Sequence, residues 1–147
     1  MRQVCISVVC AMAVLLAACG GSGSAINGNW TAALSNPDGS TAFTFTATLS
    51  ESGTGTLNVT NLSFSNSSSC FAAGTTATGT FSSTGTNNGA TGTFEMTIQS
   101  GTANTNGSNQ VALQGTLSSN TITGTWALKG TGSGCTGSGG FTMSKKM

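Results

Sequence analysis

The 147-residue chain contains no histidine, no tyrosine and a single proline, with only four basic and three acidic residues. Each shortage excludes something. Histidine is the most frequent general base and a common metal ligand, so its absence removes the usual centre of acid–base or zinc chemistry. The only arginine is Arg2, and the lysines are Lys129, Lys145 and Lys146. That leaves no basic stripe for a phosphate backbone. No stretch repeats apolar residues with the 3.6-residue period of a helix. The acidic residues are Asp38, Glu51 and Glu95. Glu95 stands between Phe94 and Met96 on the opposite phase of an alternating run, which turns it outward. Asp38 and Glu51 fall in connections at opposite ends, out of reach of the ~5–9.5 Å carboxylate pair of a glycosidase. Lys129 sits at a strand end, poorly placed to activate any of the many serines. We therefore expect no enzyme, no cofactor, no metal site and no nucleic-acid partner.

What is present begins with an apolar run. Arg2 is followed by apolar residues from Val4 to about Ala18, ending in small side chains. That is a secretory signal, too short to span a membrane. It closes on Leu16-Ala17-Ala18-Cys19 and resembles the signal of bacterial lipoproteins. The resemblance implies cleavage before Cys19 and acylation of that residue, with a diacylglycerol on its thiol and palmitate-like chains. The following residue is Gly20 rather than aspartate, which is similar to the pattern sorted to the outer membrane of two-membrane bacteria. The expected location is the cell envelope, with the membrane as partner through the N-terminal lipid. We divide the chain into a signal peptide (1–18), a lipidated N-terminus with a flexible Gly/Ser tether (19–27) and a folded domain (28–147). Without residues 1–18 the three lysines balance the three acids.

The cysteine arithmetic follows. Of five cysteines, Cys5 and Cys10 lie in the signal and Cys19 is the acylation site. Cys70 and Cys135 remain, and in an oxidising compartment such a pair predicts a disulfide. It would close a loop of about 66 residues, worth roughly 4 kcal/mol in the chain-entropy picture.

From Gly28 onward, short alternating segments are separated by turn-rich clusters, which predicts an all-β domain. We place strands at about 28–34, 42–50, 55–64, 75–82, 89–99, 109–118, 121–129 and 139–145. In the third, the apolar phase changes between Leu57/Val59 and Leu62/Phe64, predicting a β-bulge near Thr60-Asn61. A Gly-Thr-large motif recurs at Leu57, Phe81, Phe94, Leu117 and Trp126. Inward glycines allow the coiling needed to close a small barrel. Long and short connections alternate, with Cys70 and Cys135 both in long ones, as in an up-and-down meander. The expected fold is an eight-stranded antiparallel β-barrel, apolar inside and Thr/Ser-rich outside.

Gly28-Asn29-Trp30 is similar to the Gly-x-Trp start of lipocalins, and Ile26-x-Gly28-x-Trp30 to the first strand of avidin-like barrels. The resemblance implies a barrel closed at one end by the tryptophan. In lipocalins the open end takes small apolar ligands. The biotin set of avidin-like proteins requires a tyrosine, which this chain lacks. Two functions are therefore expected. One is a structural or interaction lipoprotein that contacts envelope proteins. The alternative is binding of a small apolar ligand in the barrel, lined by Trp30, Phe81, Phe94 and Trp126.

Overall fold

A computed structural model describes residues 24–65, 70–71, 75–84, 90–100, 109–130 and 134–147. The signal segment and Cys19 lie outside the described residues. Eight strands follow one another: β1 (Gly28–Ser35), β2 (Thr41–Glu51), β3 (Thr56–Phe64), β4 (Thr76–Ser83), β5 (Thr91–Gln99), β6 (Gln110–Ser118), β7 (Thr121–Lys129) and β8 (Gly137–Lys145). Each pairs with the next, and β8 returns to β1, giving a closed antiparallel meander barrel. The ends read from the sequence differ from these by at most two residues. The two-residue extension of β8 falls in Gly137-Ser138-Gly139-Gly140, which has no apolar alternation to read. Pairing with β7 extends the strand there, Leu128 lying opposite Gly137 and Trp126 opposite Gly139.

Alternation drives the closure. Along β2, Phe43, Phe45, Ala47 and Leu49 are buried, while the intervening threonines face outward. The same rule puts Phe94, Met96 and Ile98 inside on β5, and Val111, Leu113 and Leu117 inside on β6. No polar or charged residue is buried among the described residues. Closure pairs the strands on both sides, apart from the β3–β4 side beyond Asn58, which is how so neutral a domain limits exposed strand backbone.

The predicted bulge is present. Thr46 lies opposite Ser63 and Thr48 opposite Thr60, so Ala47 faces both Asn61 and Leu62. Asn61 takes φ +52°, a left-handed conformation that asparagine tolerates better than most residues. Its Nδ2 donates to Thr48 Oγ1 at 3.2 Å. Beyond the bulge, β3 parts from β4. Their pairing covers only Thr56–Asn58 against Thr80–Thr78, whereas β5 and β6 pair over the nine positions from Thr91 to Gln99.

The connections 52–55, 84–90 and 119–120 share one end with the start of β1 and the finish of β8; because 84–90 is longer than 36–40 at the other end, the expected alternation of long and short connections is not kept throughout. The other four connections share the opposite, open end. The closed end has a plug. Part of the stretch assigned to the tether is ordered: Asn27 N–H donates to Ser24 O at 2.8 Å, and Ile26 is fully buried. Trp30 Nε1 donates to Ile26 O at 2.8 Å. The packed unit therefore starts before Gly28, because burying Ile26 outweighs the flexibility of its Gly/Ser surroundings.

Candidate functional site

The four side chains expected to line a ligand chamber are all buried: Trp30, Phe81, Phe94 and Trp126. They do not converge. Phe81 and Phe94 are neighbours across β4 and β5. Trp30 lies toward the closed end, opposite Lys145. Trp126 lies toward the open end, opposite Gly139. Each indole N–H is satisfied by the chain itself, Trp30 by Ile26 O and Trp126 by Ser35 O at 3.0 Å. That leaves neither donor for a ligand.

The inward glycines create room that the chain already fills. A methyl group at Gly92 would lie 2.5 Å from the ring of Phe81. Gly115 and Gly124 face each other across β6 and β7. A methyl at Gly115 would stand 2.9 Å from Phe141 Cζ, and one at Gly124 only 2.0 Å from Gln114 O. These glycines seat aromatic rings and allow close strand approach. An eight-stranded barrel is just wide enough for side chains to fill it or for one small ligand, and here large rings take the inner volume. Depressions also lie along the wall, one lined by Thr78, Gly79, Thr80, Glu95, Met96 and Thr97, another by Gln110, Ala112, Gln114, Thr125, Trp126, Ala127 and Lys129.

The open end is the most elaborated part of the molecule. Cys70 and Cys135 form a disulfide with Cα atoms 5.6 Å apart. Cys70 follows β3 and Cys135 precedes β8, so the bond crosses the mouth between opposite sides of the ring. Phe71 is drawn inward beside it and is 6% exposed. Its ring stacks on Phe64 at 4.8 Å and meets Phe43 edge-on at 5.8 Å. Phe43 in turn meets Trp126 edge-on at 5.6 Å. A chain of four aromatic rings thus spans the mouth from β3 to β7, in the offset and edge geometries that such rings prefer. Asn109 Nδ2 donates to Cys70 O at 2.8 Å and fastens the bridged loop to the base of β6. The Asn109 Oδ1 atom is buried without a partner.

Charge is sparse here. Asp38, in the β1–β2 connection, accepts from Ser40 Oγ at 2.6 Å and from Ser40 N–H at 2.9 Å. Those bonds, the side-chain one first, hold its carboxyl below the usual aspartate range. Lys129 is exposed at the end of β7.

Alternation identified the interior positions, but three working residues escaped it. Ile26 keeps the phase of Gly28 and Trp30, and that signal was readable though the Gly/Ser context hid it. Asn109 and Phe71 lie in connections, where alternation carries no information, although the place of Phe71 beside Cys70 already points to packing under the bridged loops, as the structure shows. No family model, no curated protein and no solved structure matches this chain.

Proposed function

We propose that this protein is a lipid-anchored lipoprotein of the bacterial cell envelope with a structural or interaction role and no catalytic chemistry. The observation that carries the reading is the filled interior. Phe81 occupies the space over Gly92 and Phe141 that over Gly115, and both indole donors are bonded to the chain. A barrel packed in this way offers its surface rather than its inside. The Leu16-Ala17-Ala18-Cys19 sequence supports the anchor, and the Cys70–Cys135 bridge suits an exported domain. The long connections at the bridged end are the contact surface we assign to envelope partners. The test is expression of the full chain in a bacterium that processes lipoproteins. The wild-type protein is expected in the detergent phase with a mass increased by diacylglycerol and acyl chains, and Cys19→Ala in the aqueous phase. An unmodified wild-type chain in the aqueous phase would refute the anchor.

One observation favours a second reading, binding of a small apolar ligand. Where β3 leaves β4, Val59, Leu62, Phe64 and Ala77 are only partly buried. A ligand would enter through that side seam rather than through the bridged mouth. Titrating the domain with fatty acids while following Trp30 and Trp126 fluorescence tests it. An unchanged spectrum across chain lengths would remove this reading.

A further inference from the structure

We infer that the closed end of the barrel is a membrane-facing surface, with a phospholipid bilayer as its occupant, so that the disulfide-bridged end projects away from the lipid. This rests on the proposed acylation of Cys19 and adds to it an orientation.

The first argument is how the chain enters the barrel. Residues 24–27 are strapped across the closed end rather than free. Ile26 is fully buried. Its carbonyl holds Trp30 Nε1, Asn27 Oδ1 accepts from Glu51 N–H at 2.7 Å, and Ala25 O accepts from Lys145 Nζ at 3.0 Å. The strap is thereby fastened to β1, β2 and β8 together. Tension on the N-terminus is borne by the base of the barrel.

The second argument is length. Only residues 20–23 separate the acylation site Cys19 from the strap, five Cα–Cα steps from Cys19 to Ser24. Fully extended, that stretch reaches about 17 Å, and as a Gly-rich coil it averages about 12 Å. A nine-residue strand, tilted as barrel strands are, rises about 23 Å along the barrel axis. The tether is therefore too short to run up the wall and let the bridged end meet the bilayer. Two postures remain, standing on the closed end or lying on a wall.

The third argument separates those postures. The walls present Thr, Ser, Asn and Gln, with Glu95 as a charge of the wrong sign for an anionic surface. Along β4 to β7 no exposed apolar or cationic band appears, and the partly exposed apolar residues Val59, Leu62 and Phe64 are confined to β3 beside the seam. At the closed end Lys146 is exposed, and its N–H is held by Asn29 O at 2.8 Å. It offers a headgroup contact beside the anchor. Lys145 plays a different part. Its ammonium is occupied by Ala25 O and clamps the strap.

The experiment uses the full acylated chain in vesicles containing an anionic lipid and a headgroup-attached fluorescence quencher. Single cysteines carrying a fluorophore replace Ser52, Asn120, Glu95 or Asp38. Ser52 and Asn120 lie in different short connections of the closed end, Glu95 on the wall and Asp38 at the open end. The expected result is loss of most fluorescence at both Ser52→Cys and Asn120→Cys, with Asp38→Cys almost unaffected and Glu95→Cys between. Strong quenching at Glu95→Cys, with Ser52 and Asn120 unequal, would overturn the assignment in favour of a barrel lying on its wall. Shielding of Ser52 and Asn120 in the soluble Cys19→Ala chain would mean that a second copy covers this end, and the assignment fails. Failure of the wild-type chain to float with vesicles refutes the acylation itself. That outcome is separate from a floating protein with the wrong quenching order.

Discussion

The β5–β6 wall and the β3–β4 seam are built from similar residues, yet they hold together differently. On the wall, nine consecutive positions pair, and Phe94, Met96, Ile98, Val111, Leu113 and Leu117 are all buried. At the seam, three positions pair, and above Leu57 the apolar residues Val59, Leu62 and Phe64 keep partial exposure. The difference coincides with one irregularity. β3 carries the bulge at Asn61 and pairs with β4 only over Thr56–Asn58, just before it. The seam is then closed by a ring and a covalent bond instead of a ladder. Phe71 stacks on Phe64, and the adjacent Cys70 is bonded to the far side of the mouth. Loop packing has replaced strand pairing. Losing one local contact should therefore open the seam before it disturbs the wall.

The largest expected effect breaks that substitution directly. Changing Cys70 and Cys135 together to serine removes a cross-link between residues 65 apart and should cost about 4 kcal/mol, the loop-closure entropy that the bridge withholds from the unfolded chain. Denaturant unfolding measures the loss. Hydrogen exchange locates it: amides of β3 and β4 should lose protection while those of β5 to β7 retain most of theirs. Uniform loss around the barrel would mean that seam and wall form one cooperative unit. A matched pair of truncations sharpens the same comparison. Leu113→Ala, at 1% exposure in the wall, should cost about 3 kcal/mol, within the range for emptying a packed site. Leu62→Ala at the seam should cost less, about 1 kcal/mol, because part of its surface already meets water. Equal costs would show that the seam is as well packed as the wall. Smaller again is Asn109→Ala. It deletes the bond to Cys70 O but also an unpaired buried oxygen, so gain and loss partly offset, and about 1 kcal/mol is expected. A cost well above that would point to a partner for Asn109 Oδ1.

The asymmetry between seam and wall was half legible in the amino-acid sequence. The phase change from Val59 to Leu62 announced the bulge, because a period of two cannot absorb one extra residue without a kink. Eight alternating runs announced the closed meander. Where β3 parts from β4 could not be read, since strand separation depends on register between strands and not on pattern within one. Seven phenylalanines, two tryptophans and many leucines favour a filled interior, yet the sequence does not say which ring fills which gap. Inward glycines look like vacant space in a sequence, but whether the vacancy is filled depends on neighbours across the sheet. Gly92 receives Phe81 from the adjoining strand, and Gly115 receives Phe141 from β8, two strands away. The cysteine pair, by contrast, came from counting alone.

The smallest effect concerns a loop that needs neither seam nor wall. The β1–β2 connection organises itself around Asp38, which accepts from Ser40 Oγ and Ser40 N–H, while Asn36 Nδ2 donates to Ser40 Oγ at 3.0 Å. These bonds favour the ionised carboxylate, so its folded-state pKa lies below the unfolded one. The sign follows. The stabilisation is complete above the ordinary aspartate pKa and is lost as pH falls through the lower folded value. Asp38 is fully exposed, so solvent keeps the effect small, and it is read best from the side-chain titration itself by NMR. Ser40→Ala should move the Asp38 midpoint upward, part of the way to the ordinary value, because the Ser40 N–H bond survives. The Cys70→Ser/Cys135→Ser double variant should leave the midpoint where it is. Both connections lie at the open end, yet only the one after β3 depends on the bridge. A midpoint that shifts when the bridge is removed would mean that the disulfide orders the whole mouth, and the contrast between seam and wall would then have to be redrawn as one between the two ends of the barrel.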